Sequence, residues 1–303
     1  MKNGKNKKIS VFQTKLAINS LFKVSGEKEL IGSAIAFSLM TVCVKQLNGR
    51  LPLAELVFVR AIISLIITRL MIRNVQVNPW GKNKRLLLLR GFLGTIALFC
   101  IFKAIESLPL ASATIIQYTY PTFTAIITHF CIKEKVTKYL GLAAVIGWAG
   151  VSLIANKSVV SIDFINMSKH GLLIGLCGAF LTALAYLCVK ELSKKEDQLV
   201  IIFYFPLVSA PLTLPFFLKE GIWPTWNEWA LLLAIGLLAQ IGQILITEGI
   251  KIIPAIQAST INYSQIIFSI IWGILLFKEG INFSIVAGAI LIFIAGTISI
   301  RSN

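Results

Sequence analysis

The stretch AIESLPLASATIIQYTYPTF, Ala104–Phe123, returns 145 residues later as GIKIIPAIQASTINYSQIIF, Gly249–Phe268. Ala104-Ile105 is matched by Gly249-Ile250, and Pro109 by Pro254. Ala113 and Thr114 return as Ala258 and Ser259, Gln117-Tyr118-Thr119 as Asn262-Tyr263-Ser264, and Phe123 as Phe268. The same offset relates Cys43-Val44-Lys45 to Cys188-Val189-Lys190, Leu47 to Leu192, and Lys133-Glu134 to Lys278-Glu279. Shared hydrophobicity produces chance matches of Leu and Ile. It does not readily produce matched Lys, Pro, Tyr and Glu at one offset, so the chain reads as an internal duplication.

Around this repeat the composition is that of a membrane protein. Of 303 residues, 56% are hydrophobic and 14% charged, and the mean hydropathy is +0.82. A soluble domain carries roughly 25% charged residues, and a disordered basic chain has far fewer apolar ones. A bilayer core needs roughly 20 mostly apolar residues per helix. Ten runs qualify: 30–47, 56–72, 86–102, 111–132, 139–154, 171–192, 199–218, 229–247, 255–277 and 281–300. Arg60, Arg69 and Arg90 interrupt the second and third runs, but eight spans would strand apolar stretches in water. The expected organisation is a basic tail over 1–28, a first five-helix repeat over 29–156 and a second over 170–301.

Five is odd, so the second repeat enters the membrane from the opposite side. The expected fold is an all-α integral membrane protein of ten transmembrane helices. They form two inverted five-helix repeats around a central cavity, an architecture of many secondary transporters. With the N-terminus inside, most of the 29 Lys and Arg fall on the inner side, including Lys82, Lys84, Arg85, Lys133, Lys135 and Lys138. Both termini are therefore expected in the cytoplasm and the protein in the inner or plasma membrane. The net charge of +16 is then a topology signal and needs no nucleic acid. Trp223, Trp226 and Trp229 cluster as an interfacial belt would. Cys43, Cys100, Cys131, Cys177 and Cys188 all lie in apolar runs, without the spacing of a zinc site or disulfide framework.

The residues resemble the EamA-type branch of the drug/metabolite transporter superfamily, over nearly the whole chain after the tail. The resembling stretches are FSLMTVCVKQL (Phe37–Leu47), Phe58-Val59-Arg60 and FKAIESLPLASATIIQYTYPTFTAIITHFCIKEKVT (Phe102–Thr137). Leu89-Arg90-Gly91 resembles members that carry metabolites, including S-adenosylmethionine uptake carriers. The resemblance implies ten helices in two inverted repeats, cytoplasmic termini and transport of small organic solutes. One departure is that Ile31–Leu47 holds no Asp or Glu, which puts in doubt proton-coupled drug antiport through a first-helix glutamate.

Polar groups inside a bilayer are costly, so they face a cavity or a partner. Gln117, Tyr118 and Tyr120 precede Pro121 in the fourth run, and Asn262, Tyr263 and Gln265 occupy the matching part of the ninth. Amides and phenols there either bind a polar solute or join helices by hydrogen bonds. Gln240 and Gln243 lie three apart on one face of the eighth helix. Arg90 either binds a carboxylate or phosphate through its planar fork or pairs with a helix-end carbonyl. Arg60 reads as a gating charge or as a partner of Glu55. Lys45 and its repeat mate Lys190 contribute to a gate or snorkel to the headgroups.

The expected function is a secondary transporter that moves an amino acid, methyl donor or related solute by alternating access. The alternatives are a membrane-embedded enzyme or a non-transport membrane protein. No HExxH, GxSxG or Walker motif is present, so no catalytic residue, metal or cofactor is expected. The expected partners are a small-molecule solute and the lipid bilayer. A complete inverted pair in one chain permits a monomer or a homodimer.

Overall fold

The computed structural model describes residues 26–47, 50–107, 116–128, 137–156, 169–277 and 283–301. Among these residues the secondary structure is helical, with no strand. The first half contains α1 (Gly26–Gln46), α2 (Leu53–Val75), α3 (Lys84–Ser107), α4 (Tyr120–Ile127) and α5 (Lys138–Asn156). The second contains α6 (Lys169–Leu192), α7 (Gln198–Glu220), α8 (Trp226–Ile252), α9 (Ala255–Ile261), α10 (Ser264–Phe277) and α11 (Phe283–Arg301).

Four segments are long and apolar enough to cross a membrane: His170–Leu192, Gln198–Glu220, Trp226–Ile252 and Ala255–Leu276. Lys138–Leu153 and Val286–Ile298 are apolar but shorter. The early helices α2 and α3 are long, and Arg60, Arg69 and Arg90 dilute their apolar character. Of the expected fourth span, only residues 116–128 are described, and Cys131, Lys133 and Glu134 lie outside the described residues.

Helix ends follow their local chemistry. Asp197 precedes α7 and its carboxylate accepts the Leu199 N–H at 2.9 Å, as an N-cap does. Glu228, in the first turn of α8, accepts the Thr225 N–H at 2.7 Å. Pro206, Pro211 and Pro215 all lie within α7.

The helices are apolar outside as well as inside. Leu88, Leu142, Leu233, Ile290 and Phe293 are exposed, a surface suited to lipid and rare on a soluble monomer. The most extensive packing joins α1 to α8, α3 to α6, α5 to α11 and α2 to α7. Small residues permit it: a Cβ on Gly150 of α5 would lie 2.8 Å from the Gly288 carbonyl oxygen of α11. Polar side chains tie helices together. Ser33 donates to the Gly242 carbonyl at 3.0 Å, Gln198 to the Ile244 carbonyl at 2.6 Å, and the Trp272 indole to Ser38 at 3.0 Å.

The ninth expected span is broken. Asn262 and Tyr263 form a turn between α9 and α10, with i→i−3 bonds from Tyr263 N to Thr260 O and from Gln265 N to Asn262 O. The hydroxyls of Ser259 and Thr260 both bond back to the Ile256 carbonyl, a competition that bends helices. A turn at Tyr118-Thr119 breaks the first half at nearly the same repeat position. There Pro121 has no N–H to offer the Gln117 carbonyl.

Candidate functional site: a cavity between the two halves

A cavity of about 180 Å³ lies where α1, α2, α3, α6, α7 and α8 meet. Its polar lining is Arg60 of α2, Arg90 of α3, Thr182 and Tyr186 of α6, and Gln243 and Thr247 of α8. Phe37, Leu98 and Phe205 are among its apolar walls, and no Asp or Glu lines it among the described residues.

The two arginines share one aromatic face. The guanidinium carbon of Arg90 lies 4.9 Å from the centre of the Phe205 ring, and that of Arg60 lies 5.8 Å from it. Both distances are within cation–π range. Arg90 is 6% exposed, and its Nε and Nη1 are buried with no hydrogen-bond partner among the described residues. A Cβ on Gly94, one turn along α3, would sit 2.9 Å from Arg90 Nη1 and 3.1 Å from the Phe205 ring. The absence of a side chain there gives the guanidinium and the ring their space. Glu55 does not pair with Arg60, because it is buried and accepts the Ile222 N–H at 3.0 Å.

The polar residues of the two helix breaks sit beside this cavity in an aromatic cluster. Tyr263 is fully buried; its hydroxyl donates to the Tyr118 carbonyl at 3.2 Å and stands 3.4 Å from that of Ala144. The rings of Tyr118 and Tyr263 stack with centres 5.8 Å apart. Tyr120 donates to the Ser259 carbonyl at 3.1 Å. Asn262 donates to the Tyr186 hydroxyl at 2.6 Å, and the rings of Tyr120 and Tyr186 are 5.3 Å apart. Tyr186 thus joins the cluster to the cavity wall. Gln117 and Gln265 are half-buried and are not in the cavity lining. Gln240 is buried outside the cavity lining and donates to Thr68 at 2.8 Å.

Thr182, Tyr186, Phe205 and Thr247 were not singled out by sequence reasoning. Phe205 carries a usable signal, because it lies 145 residues after Arg60 and is its repeat mate. The mates of Thr182, Tyr186 and Thr247 are Phe37, Thr41 and Phe102, none of them a charge in an apolar run, so they do not mark these positions.

Opposite ends of α8 carry different contacts. At its start, Arg50 forms a two-point ion pair with Glu228. Near its other end the buried Lys190 Nζ donates to the carbonyls of Ile250 at 3.1 Å and Ile253 at 2.6 Å. Lys190 therefore satisfies helix-end acceptors instead of reaching to headgroups, whereas its mate Lys45 is exposed in the last turn of α1. On the same side, Glu196 accepts the Lys82 N–H at 2.8 Å and the Asn83 N–H at 2.5 Å. Trp223 and Trp226 are exposed, and the rings of Trp223 and Trp229 meet edge to face at 6.2 Å.

Comparison with known proteins places this geometry. The chain is 30% identical over 275 residues to the "Pseudopaline exporter CntI" of Pseudomonas aeruginosa, covering 89% of this chain and 94% of that one. It is 27% identical over 278 residues to mouse "Solute carrier family 35 member G1", covering 88% and 75%. An "Uncharacterized transporter" of Helicobacter pylori is 26% identical over 286 residues, covering 89% and 93%. One crystal structure superposes with a TM-score of 0.79 at 15% identity, covering 91% of this chain and 96% of that one, which shows a shared fold. The "EamA-like transporter family" model matches residues 25–156 and again 169–301. These relatives are membrane transporters and not enzymes, and the chain belongs to the EamA-like transporter family.

Proposed function

We propose that the protein is a secondary carrier of a small organic solute, with ten spans in two inverted repeats, working by alternating access at the cavity described above. The observation that carries this reading is the cavity's position. Its wall is built by α1, α2 and α3 of one half and α6, α7 and α8 of the other. A relative movement of the halves therefore opens or closes it.

The packing supports the inverted arrangement. Exchanging the halves turns the α1–α8 contact into the α6–α3 contact, and leaves α2–α7 and α5–α11 as they are. Residues that lie on a two-fold axis touch their own repeat mates. Arg60 meets Phe205 and Tyr118 meets Tyr263 in this way. In this reading the N-terminal and C-terminal ends of the chain face the cytoplasm in the cell membrane. Arg50–Glu228 then closes the outer end, and the Lys190 and Glu196 contacts hold the inner end. Arg60, Arg90, Gln243 and Tyr186 touch the solute, while Tyr118, Tyr120, Asn262 and Tyr263 form the packed hinge region beside it. The export named for the Pseudomonas aeruginosa relative makes outward movement the first direction to assay.

The test is flux in proteoliposomes with cysteines placed at Arg50 and Glu228 in an otherwise cysteine-free chain. Cross-linking should stop solute movement, and reduction should restore it. Undiminished flux in a fully cross-linked sample would overturn alternating access.

A further inference from the structure

We infer that the cavity is built for a solute bearing two negatively charged groups, and that the solute supplies the counter-charge the protein omits. This rests on the carrier reading of the same cavity. Two guanidinium groups line it, and both remain charged at any physiological pH. Among the described residues no carboxylate lines it with them. Among the same residues the buried Nε and Nη1 of Arg90 have no hydrogen-bond partner, and the contact of Arg60 is the Phe205 ring. A buried guanidinium without a partner is costly, in protein and in membrane alike. A protein that needed only structural cations would pair them. Elsewhere this chain does so: Arg50 with Glu228 and Lys194 with Glu191.

The geometry points to two anionic groups held at one aromatic wall. Phe205 receives both cations on its ring, which orients the forks without consuming their N–H donors. Each fork can then take a carboxylate or phosphate oxygen pair. Gln243, Thr182 and the Tyr186 hydroxyl border the same space and suit polar groups carried between the charges.

The experiment is binding to the purified full chain in zwitterionic-lipid nanodiscs, measured by calorimetry. The probes are succinate, succinamate and succinamide, which share a shape and carry two, one and no negative charges. Glycerol 3-phosphate tests phosphate against carboxylate, and putrescine tests a cation. Affinity should fall stepwise with charge across the first three. Arg90→Gln and Arg60→Gln should each weaken succinate by about tenfold or more, and Arg90→Lys by less. Equal binding of succinate and succinamide by the native chain, or preference for putrescine, would overturn the inference, even if an arginine variant fails to fold. Competition by phosphatidylglycerol that vanishes in Arg90→Gln would assign the site to a lipid headgroup and also overturn it. Arginine-dependent succinate binding without flux in proteoliposomes would sink the carrier reading alone. Flux of a neutral solute indifferent to both arginines would leave the carrier reading and sink this one.

Discussion

Gly147 and Gly141 share α5 but not their surroundings. A Cβ on Gly147 would lie 2.4 Å from the ring of Tyr263, whereas one on Gly141 meets nothing within 4 Å. Tyr263 cannot retreat, because its ring is fully buried and its hydroxyl is held by the Tyr118 carbonyl. Gly147→Ala is therefore expected to cost about 1–3 kcal/mol, as overpacking does. Gly141→Ala should be neutral or slightly stabilising, since alanine favours a helix over glycine. Thermal unfolding of both variants in detergent checks this, and equal midpoints would show that the tyrosine cluster is loose. At the same scale, the reading of Arg90 changes with context. Sequence alone leaves it between a solute ligand and a helix-end partner; in the structure its Nε and Nη1 are buried and meet no hydrogen-bond partner among the described residues.

The helix ends hold two chemical devices that act on whole elements. Lys190 caps α8 through the Ile250 and Ile253 carbonyls, so Lys190→Met leaves buried acceptors bare. The expected loss is about 1–3 kcal/mol. Lys45→Met, at the exposed repeat mate, should cost less, and denaturant unfolding of the pair reads the difference. At the other end of α8, Arg50 and the Thr225 N–H both hold the Glu228 carboxylate. The breaks at Tyr118-Thr119 and Asn262-Tyr263 belong to this scale too. Discontinuous helices expose backbone groups that are tolerated at membrane depth only against protein or a cavity.

Across the whole molecule, Arg60 of α2 and Arg90 of α3 meet at one ring, that of Phe205 in α7. Replacing Phe205 with leucine removes the ring that both arginines share. Succinate affinity should change by severalfold while the fold persists, because leucine retains most of the apolar contact. Unchanged affinity would mean that the ring does not orient the guanidinium groups. The ends differ as well: Arg50–Glu228 is a side-chain ion pair, whereas Glu196 takes backbone N–H groups. Salt therefore should weaken the first contact more than the second, since exposed ion pairs are screened.

The ends of most helices were legible from the residues, because apolar run length, prolines and basic loops act locally. The expectation of a duplication also comes from the residues alone, since Lys, Pro, Tyr and Glu recur at one offset. The break inside the run 255–277 was not, because no proline marks it and Ser259 and Thr260 act through hydrogen bonds visible only in three dimensions. The site was half legible. Arg60, Arg90 and Gln243 stood out as polar groups in apolar runs, and the cavity holds all three. Tyr186 and Phe205 did not stand out, because an aromatic residue in a membrane helix looks the same whether it meets lipid or a guanidinium. Whether a buried charge has a partner is a property of distance between helices far apart in the chain. Tertiary packing alone brought Arg60 and Arg90 to one ring and, among the described residues, left both without a carboxylate.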